Sequence, residues 1–200
     1  RKTVGAQELI LSLLKERAET GRIYIMNIDH CNSHSSFLDK VNMSNLCQEI
    51  TLPTTPIQDI HDEQGEIALC ILSAVNVGGL NDLSELENIC DLSVRALEQI
   101  IDYQDYPVKA AEVSTKKRRS LGIGYIGLAH YLAKNGVKYS DPEAWALVDR
   151  LSEAFQYHLL RASCDIAKEK GKCEGFERTK YADGQLPIDK YKKDVDKIVP

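Results

Sequence analysis

The stretch Ile67-Ala68-Leu69-Cys70-Ile71-Leu72-Ser73-Ala74-Val75-Asn76-Val77 decides the fold class. It is a continuous apolar run with β-branched residues, the pattern of a strand covered on both faces. The turn-like Asp62-Glu63-Gln64-Gly65 precedes it. After it, Ser84 and Glu87 have capping-box spacing, and Leu86, Ile89, Leu92, Leu97, Ile100 and Ile101 mark a helix ending near Tyr103. A buried strand feeding a helix points to an α/β arrangement, and the remainder of the chain extends the alternation.

Upstream, residues 6 to 19 place Leu9, Ile10, Leu13 and Leu14 at helical spacing, with Gly21 as the stop. Arg22 to Ile28 switches to a β-rich run, and the following Asp-His-Cys-Asn-Ser-His-Ser-Ser has loop composition. An extended segment through Ser44 to Leu52 is closed by Pro53 and Pro56. Downstream, Lys116 to Arg119 is a basic run in a loop, and Leu121 to Lys134 has helical spacing that stops at Gly136. Asp141 as N-cap and Pro142 at the first helical position open a long helix to Gly171. Its apolar stripe passes through Trp145, Val148, Leu151, Phe155, Leu159 and Ile166.

Two hundred residues with 43% hydrophobic content suffice for one sizeable domain with a real core. A net charge of -5 gives the chain as a whole no electrostatic case for nucleic acid. The longest apolar run is too short to span a bilayer and no basic leader opens the chain, so a soluble, cytoplasmic protein is expected. Six cysteines without a CxxC pair argue for reduced thiols rather than a disulfide framework. The opening at Arg1 instead of Met reads as an excerpt from something longer.

Three constellations carry possible chemistry. Gly122-x-Gly124-x-x-Gly127 matches the letter of a dinucleotide fingerprint, but it follows Lys-Lys-Arg-Arg-Ser where that motif needs a buried strand, so close helix packing is the competing account. His30-Cys31-x-x-His34 offers zinc-ligand types without the four ligands of a structural site, and a locally hydrogen-bonded loop explains it as well. The third is Ser44-Asn45-Leu46-Cys47-Gln48-Glu49 taken with Cys70. In an extended segment Asn45, Cys47 and Glu49 share a face. Burying an amide and an acid beside a thiol is costly without partners, so this face is either a solvated edge or a reactive site. Cys90 and Cys164, by contrast, suit helix packing.

The runs SNLCQEITLPTTP and GEIALCILSAVNVG resemble the catalytic core of the large (alpha) subunit of class I ribonucleotide reductase. The likeness continues in RKTVGAQEL, TGRIYIMNIDHCNSHS, RALEQIIDYQDYP, RRSLGIGYIGLAHYLAK and LPIDKYKKD, so it covers essentially the whole chain. It implies an α/β fold that is part of a ten-stranded barrel, with a finger loop inside and helices outside, and residues 1–200 as a single segment of that barrel domain. The opening stretch would then be a loop tip leading into a strand.

The resemblance also implies a function: reduction of ribonucleoside diphosphates to 2'-deoxyribonucleotides for DNA synthesis. Cys47 looks like the thiyl radical, Glu49 like the proton acceptor, and Asn45 like a second proton acceptor or hydrogen-bonding group. Ser44, Leu46 and Gln48 complete the substrate-binding stretch. Cys70 looks like one of two redox-active thiols, whose partner lies outside this chain. No cofactor or metal is expected on this segment. The radical would come from a di-metal tyrosyl-radical beta subunit, and reducing equivalents from thioredoxin or glutaredoxin. Nucleotide effectors would bind elsewhere in an alpha homodimer, and the segment alone should be inactive. Tyr24 falls near the family's radical path, although a packed aromatic is the simpler reading. A noncatalytic relic or split-gene interaction module that keeps the barrel segment is the alternative.

Overall fold

A computed structural model describes residues 3–45 and 47–189. The two strands are β1 (Ile71–Asn76) and β2 (Leu121–Ile126), and the helices are α1 (Ala6–Thr20), α2 (Ile28–His34), α3 (Glu85–Tyr103), α4 (Lys109–Arg118), α5 (Leu128–Lys134) and α6 (Pro142–Lys170). The strands pair in parallel, with Ile71 opposite Leu121, Ala74 opposite Gly124 and Asn76 opposite Ile126. Parallel pairing requires a crossover, and α3 and α4 supply it. The fold is α/β as expected. Among the described residues this single strand pair is the sheet, so the barrel is not closed within them.

Period-2 alternation sorts each strand. Val75 is buried, with Ile123 and Tyr125 packed beside it against Val77, Leu80, Leu86 and Cys90 and against Leu151 and Phe155 of α6. Val94, Ala162 and Ile166 continue the contact between α3 and α6. Tyr125 meets Phe155 edge to face at 5.4 Å, and its hydroxyl lies 3.2 Å from Ser152 Oγ. The other face is open: Leu72 is 61% and Ile126 57% exposed. This corrects the expectation of a strand covered on both faces, because the helices described lie on one side only.

Several boundaries also differ. Leu121 to Lys134 is a strand followed by a helix, because Gly127 takes the left-handed conformation (φ +79°) and breaks the segment. Arg22 to Asn27 is irregular, and Ile28–His34 is helical where a loop is expected from composition. Asn32 explains the latter. Its Nδ2 donates to the Ile28 carbonyl at 2.9 Å and the Val41 carbonyl at 2.8 Å, so its amide closes the helix instead of competing with it. The Ser84 cap is absent; Asp82 Oδ1 accepts from the Ser84 N–H at 2.8 Å and Glu85 Oε1 from the Asn81 N–H at 3.1 Å. On α6 the stripe holds at Leu151, Phe155 and Ile166, but Trp145 is 75% exposed and Ala144 is buried beside it. Cys164 is exposed instead of packed, and Tyr24 is exposed also.

Candidate functional site

The segment carrying Cys47 is held by buried stems. Val41 and Pro53 are both fully buried, and between them the chain projects as a loop. Asn32 grips Val41 at both its backbone groups, accepting from the Val41 N–H at 2.9 Å as well as donating to its carbonyl. At the tip, Gln48 has φ +62° and its N–H donates to the Asn45 carbonyl at 3.2 Å. Asn45 and residues 47–49 are therefore part of a turn, as the resemblance to a loop tip implies, but residues 49–54 do not continue as the strand that it also implies. The simple alternation of Asn45, Cys47 and Glu49 does not hold here. A left-handed residue interrupts it.

Asn45 and Ser44 close this turn. Asn45 Oδ1 accepts from the Ile50 N–H at 3.0 Å, while Ser44 Oγ lies 2.7 Å from the Ile50 carbonyl and 3.2 Å from Asn45 Oδ1. The turn thus uses the carbonyl half of the Asn45 amide. Cys47 and Glu49 are exposed at the tip, Asn45 and Gln48 half-buried, and Leu46 lies outside the described residues.

Cys70 sits one residue before β1, in phase with the open-face residues Leu72, Ala74 and Asn76. Across the strand pair, Gly122, the partner of Leu72, leaves room: a methyl group there would stand 2.6 Å from Leu72 Cδ2 and 3.4 Å from Cys70 Sγ. Gly122 and Gly124 both lie inside β2; close approach of the strands accounts for Gly122, whereas a side chain at Gly124 would meet nothing within 4 Å. Burial first, and then the negative charge of Glu49, push the Cys70 thiol above the ordinary range. Glu49 from the turn and Cys70 from the strand thus come within electrostatic reach of each other. Cys90, fully buried in the core, is pushed by burial to about 11.

The remaining candidates separate from this site. His34 Nδ1 lies 3.1 Å from the His30 carbonyl and 3.0 Å from Ser33 Oγ. Among the described residues no group of three His, Cys, Asp or Glu side chains is arranged to hold a metal ion. No described helix is long and apolar enough to cross a membrane. The basic run, expected in a loop, instead forms the last turn of α4 with Arg119 just beyond it, and all four side chains are engaged with carboxylates. Lys116 pairs with Glu112, Lys117 with Glu66, Arg118 with Glu66 and Asp39, and Arg119 with Glu98 and Asp102.

The sequence model of the ribonucleotide reductase barrel domain matches residues 1–198. The chain belongs to this family. It is 58% identical to the ribonucleoside-diphosphate reductase subunit alpha of Haemophilus influenzae, covering 99% of the chain and 27% of that relative. It is 55% identical to ribonucleoside-diphosphate reductase 1 subunit alpha of Escherichia coli, covering 99% of the chain and 26% of the relative. The subunit alpha of Buchnera aphidicola from Schizaphis graminum is likewise 55% identical over 99% of the chain and 26% of its own length. The chain spans about a quarter of the length of these curated relatives.

Within this ribonucleotide reductase barrel segment, the Glu49–Cys70 relation has a measurable consequence. Alkylation follows the thiolate fraction, so Cys70 should react at higher pH than an unperturbed thiol. Glu49→Gln removes the repelling charge and should lower the midpoint of the Cys70 profile, with burial keeping it above the ordinary value. Peptide mass spectrometry separates Cys70 from the exposed Cys47. An unchanged profile would show the two groups to be uncoupled.

Residues that the sequence reading missed are Asp39, Glu66 and Arg178. One signal was available: Glu66 abuts the apolar run, and an acid there needs a cationic partner, while Lys116 to Arg119 is the richest supply of cations in the chain.

Proposed function

We propose that this chain is a single segment of the catalytic barrel of a ribonucleoside-diphosphate reductase alpha subunit, and that its turn at Asn45 to Glu49 and its Cys70 perform the sugar chemistry. The observation that carries the reading is the match of residues 1–198 to the barrel domain, together with the exposure of Cys47 and Glu49 on the turn and the effect of the Glu49 charge at Cys70. Membership of the barrel family and the names of its relatives support the substrate class. The apolar open face, with Leu72 and Ile126 uncovered, is the side on which the rest of a barrel would close.

Hydroxide leaves ribose poorly by acid–base means, so the reaction needs a radical at C3'. The Cys47 thiyl takes the 3' hydrogen atom, forming an S–H bond and a carbon radical. Glu49 accepts the 3'-hydroxyl proton, and Asn45 holds a hydroxyl through its amide without titrating. The 2'-hydroxyl departs as water with a proton supplied by the thiol pair. Cys70 and a second thiol outside this chain give a hydrogen atom to C2' and, on closing to a disulfide, one further electron; Glu49 returns its proton to the 3' oxygen and Cys47 returns a hydrogen atom to C3', which regenerates the thiyl. The balance is one ribonucleotide and one dithiol consumed, with one deoxyribonucleotide, one disulfide and one water formed. A thiol held above its ordinary pKa keeps its proton until it is needed, and that suits Cys70. Ser44 and Gln48 shape the turn on either side of Cys47, and Leu46 completes the stretch.

The same reading assigns the remaining components to other chains or segments. The radical originates on a beta subunit with a di-metal tyrosyl-radical centre, and a thioredoxin or glutaredoxin reopens the disulfide. The complete enzyme is an alpha homodimer of the cytoplasm, with effector nucleotides bound outside residues 1–200.

A segment exchange tests the proposal. These residues replace the matching region of the Escherichia coli alpha subunit, and the chimera is assayed with beta subunit, ribonucleoside diphosphate and a dithiol. Dithiol-dependent deoxynucleotide formation is expected. A folded chimera that binds substrate yet forms no product would overturn it.

A further inference from the structure

Both stems of the Cys47 loop converge on one buried guanidinium. Asp39 lies just before the buried Val41, and Glu66 is tied to Thr55, beyond the buried Pro53, by a two-bond antiparallel bridge. In that bridge the Glu66 N–H donates to the Thr55 carbonyl at 3.0 Å and the Thr55 N–H to the Glu66 carbonyl at 3.2 Å. Arg118, at the end of α4, joins the two. Its Nε and Nη2 donate to Glu66 Oε2 at 3.1 and 2.5 Å, and Nη1 and Nη2 both lie 3.3 Å from Asp39 Oδ2. The pair is deeply buried, the side chains of Arg118 and Glu66 being 5% and 3% exposed. Lys117 donates to Glu66 Oε1 at 2.5 Å, Arg178 to Asp39 Oδ1, and Arg118 stacks over the Phe37 ring at 5.8 Å.

A buried ion network of this kind is weak evidence for stability, since desolvation offsets most of the attraction, but it fixes geometry strongly. A planar fork reaching two carboxylates is a task for arginine, which lysine cannot reproduce. The network lies at the stems of the loop and none of its bonds involves residues 44 to 50. Its effect on the tip therefore comes through the backbone.

We propose that Arg118 is a positioning residue that clamps the entry and exit segments of the Cys47 loop, so that the loop tip is presented to substrate at a fixed height and angle. Asp39 is its contact on the entry side and Glu66 on the exit side. The proposal rests on the reading of Cys47 as the group that attacks the sugar. Misplacement by about 1 Å can cost about 100-fold in a reaction of this type. Displacement of the tip weighs on hydrogen transfer, which needs near-contact geometry, more than on binding.

The test uses the complete alpha subunit containing this segment, assayed with its beta subunit. Asp39→Asn cuts the entry side and leaves the buried Arg118–Glu66 pair intact, while Arg118→Lys keeps a cation for Glu66 but loses the fork. For both, kcat is expected to fall about 10- to 100-fold with KM nearly unchanged. Amide hydrogen exchange should accelerate at residues 42–52 while α3 and α6 keep their protection. An unaltered kcat would overturn the clamp, and so would a loss of kcat accompanied by exchange rising throughout α3 and α6 or by loss of the circular-dichroism signal. Cys47→Ser, measured alongside, separates the two ideas: turnover in that variant defeats the radical reading, whereas an inactive Cys47→Ser beside a fully active Asp39→Asn defeats the clamp alone.

Discussion

Cys47→Ser in a complete alpha subunit built around this segment is expected to abolish deoxynucleotide formation while substrate still binds. Cys47 is exposed at the tip of a turn, contributing nothing to the apolar core, so removing its sulfur should not disturb folding. The turn is closed by Ser44, Asn45 and Ile50, none of which needs the thiol. Serine is close in size and keeps a hydrogen-bonding group, so contacts that only hold the sugar survive. What is lost is a hydrogen atom carrier, because an O–H bond is too strong to be opened by the radical that opens an S–H bond. The loss should therefore appear in kcat with little effect on the substrate dissociation constant, the pattern of an interaction used after binding. Equilibrium binding and product formation measured on the same preparation check it, and sustained turnover would remove Cys47 from the reaction.

How much of this was legible in the chain itself follows from the range of the interactions involved. Helices α3 and α6 were readable because their apolar positions repeat locally, and Leu86, Leu151, Phe155 and Ile166 occupy the expected buried places. Strand β2 was not. Leu121, Ile123 and Tyr125 alternate inward, but Gly122 and Gly124 supply no side chain to mark the other face, and the following Leu128 and Leu132 extend a helical rhythm across the break. The turn at Gln48 was masked for a related reason: a left-handed glutamine carries no glycine signal. The Cys47, Glu49 and Cys70 set stood out by residue type and took its roles from motif resemblance, but a left-handed turn at Gln48 is not visible in a pattern of alternating faces. The Arg118 network left one trace, an acid at Glu66 beside an apolar run, but its pairing was not legible because Glu66 and Asp39 lie 52 and 79 residues before Arg118 and charge runs read locally as solvated. The open face of the sheet illustrates the limit in the opposite direction. The sequence pattern of β1 is that of two-sided burial, and the helices described satisfy one side.

Cys70→Ser should give a different failure from Cys47→Ser, and the difference separates their chemistry. The Cys70 site is confined by Gly122 and Leu72, and serine, being smaller than cysteine, fits without displacing either. Serine cannot form a disulfide, so the two electrons that complete the reaction are missing, and multiple turnover supported by a dithiol should cease. Hydrogen abstraction precedes the need for those electrons. With substrate labelled by tritium at C3', abstraction places the label on a thiol whose S–H exchanges with water, so Cys70→Ser should release label without making product. Cys47→Ser should release none. Normal multiple turnover by Cys70→Ser would exclude it from the reducing pair, and equal absence of label release in both variants would move Cys70 to the abstraction step or before it. Glu49 adds a check on the order of events, since the carboxylate that raises the Cys70 thiol pKa is also the base assigned to the 3'-hydroxyl. If Glu49 is that base, Glu49→Gln should stop label release from C3' as Cys47→Ser does, and label release at the normal rate in Glu49→Gln would remove it from the abstraction step.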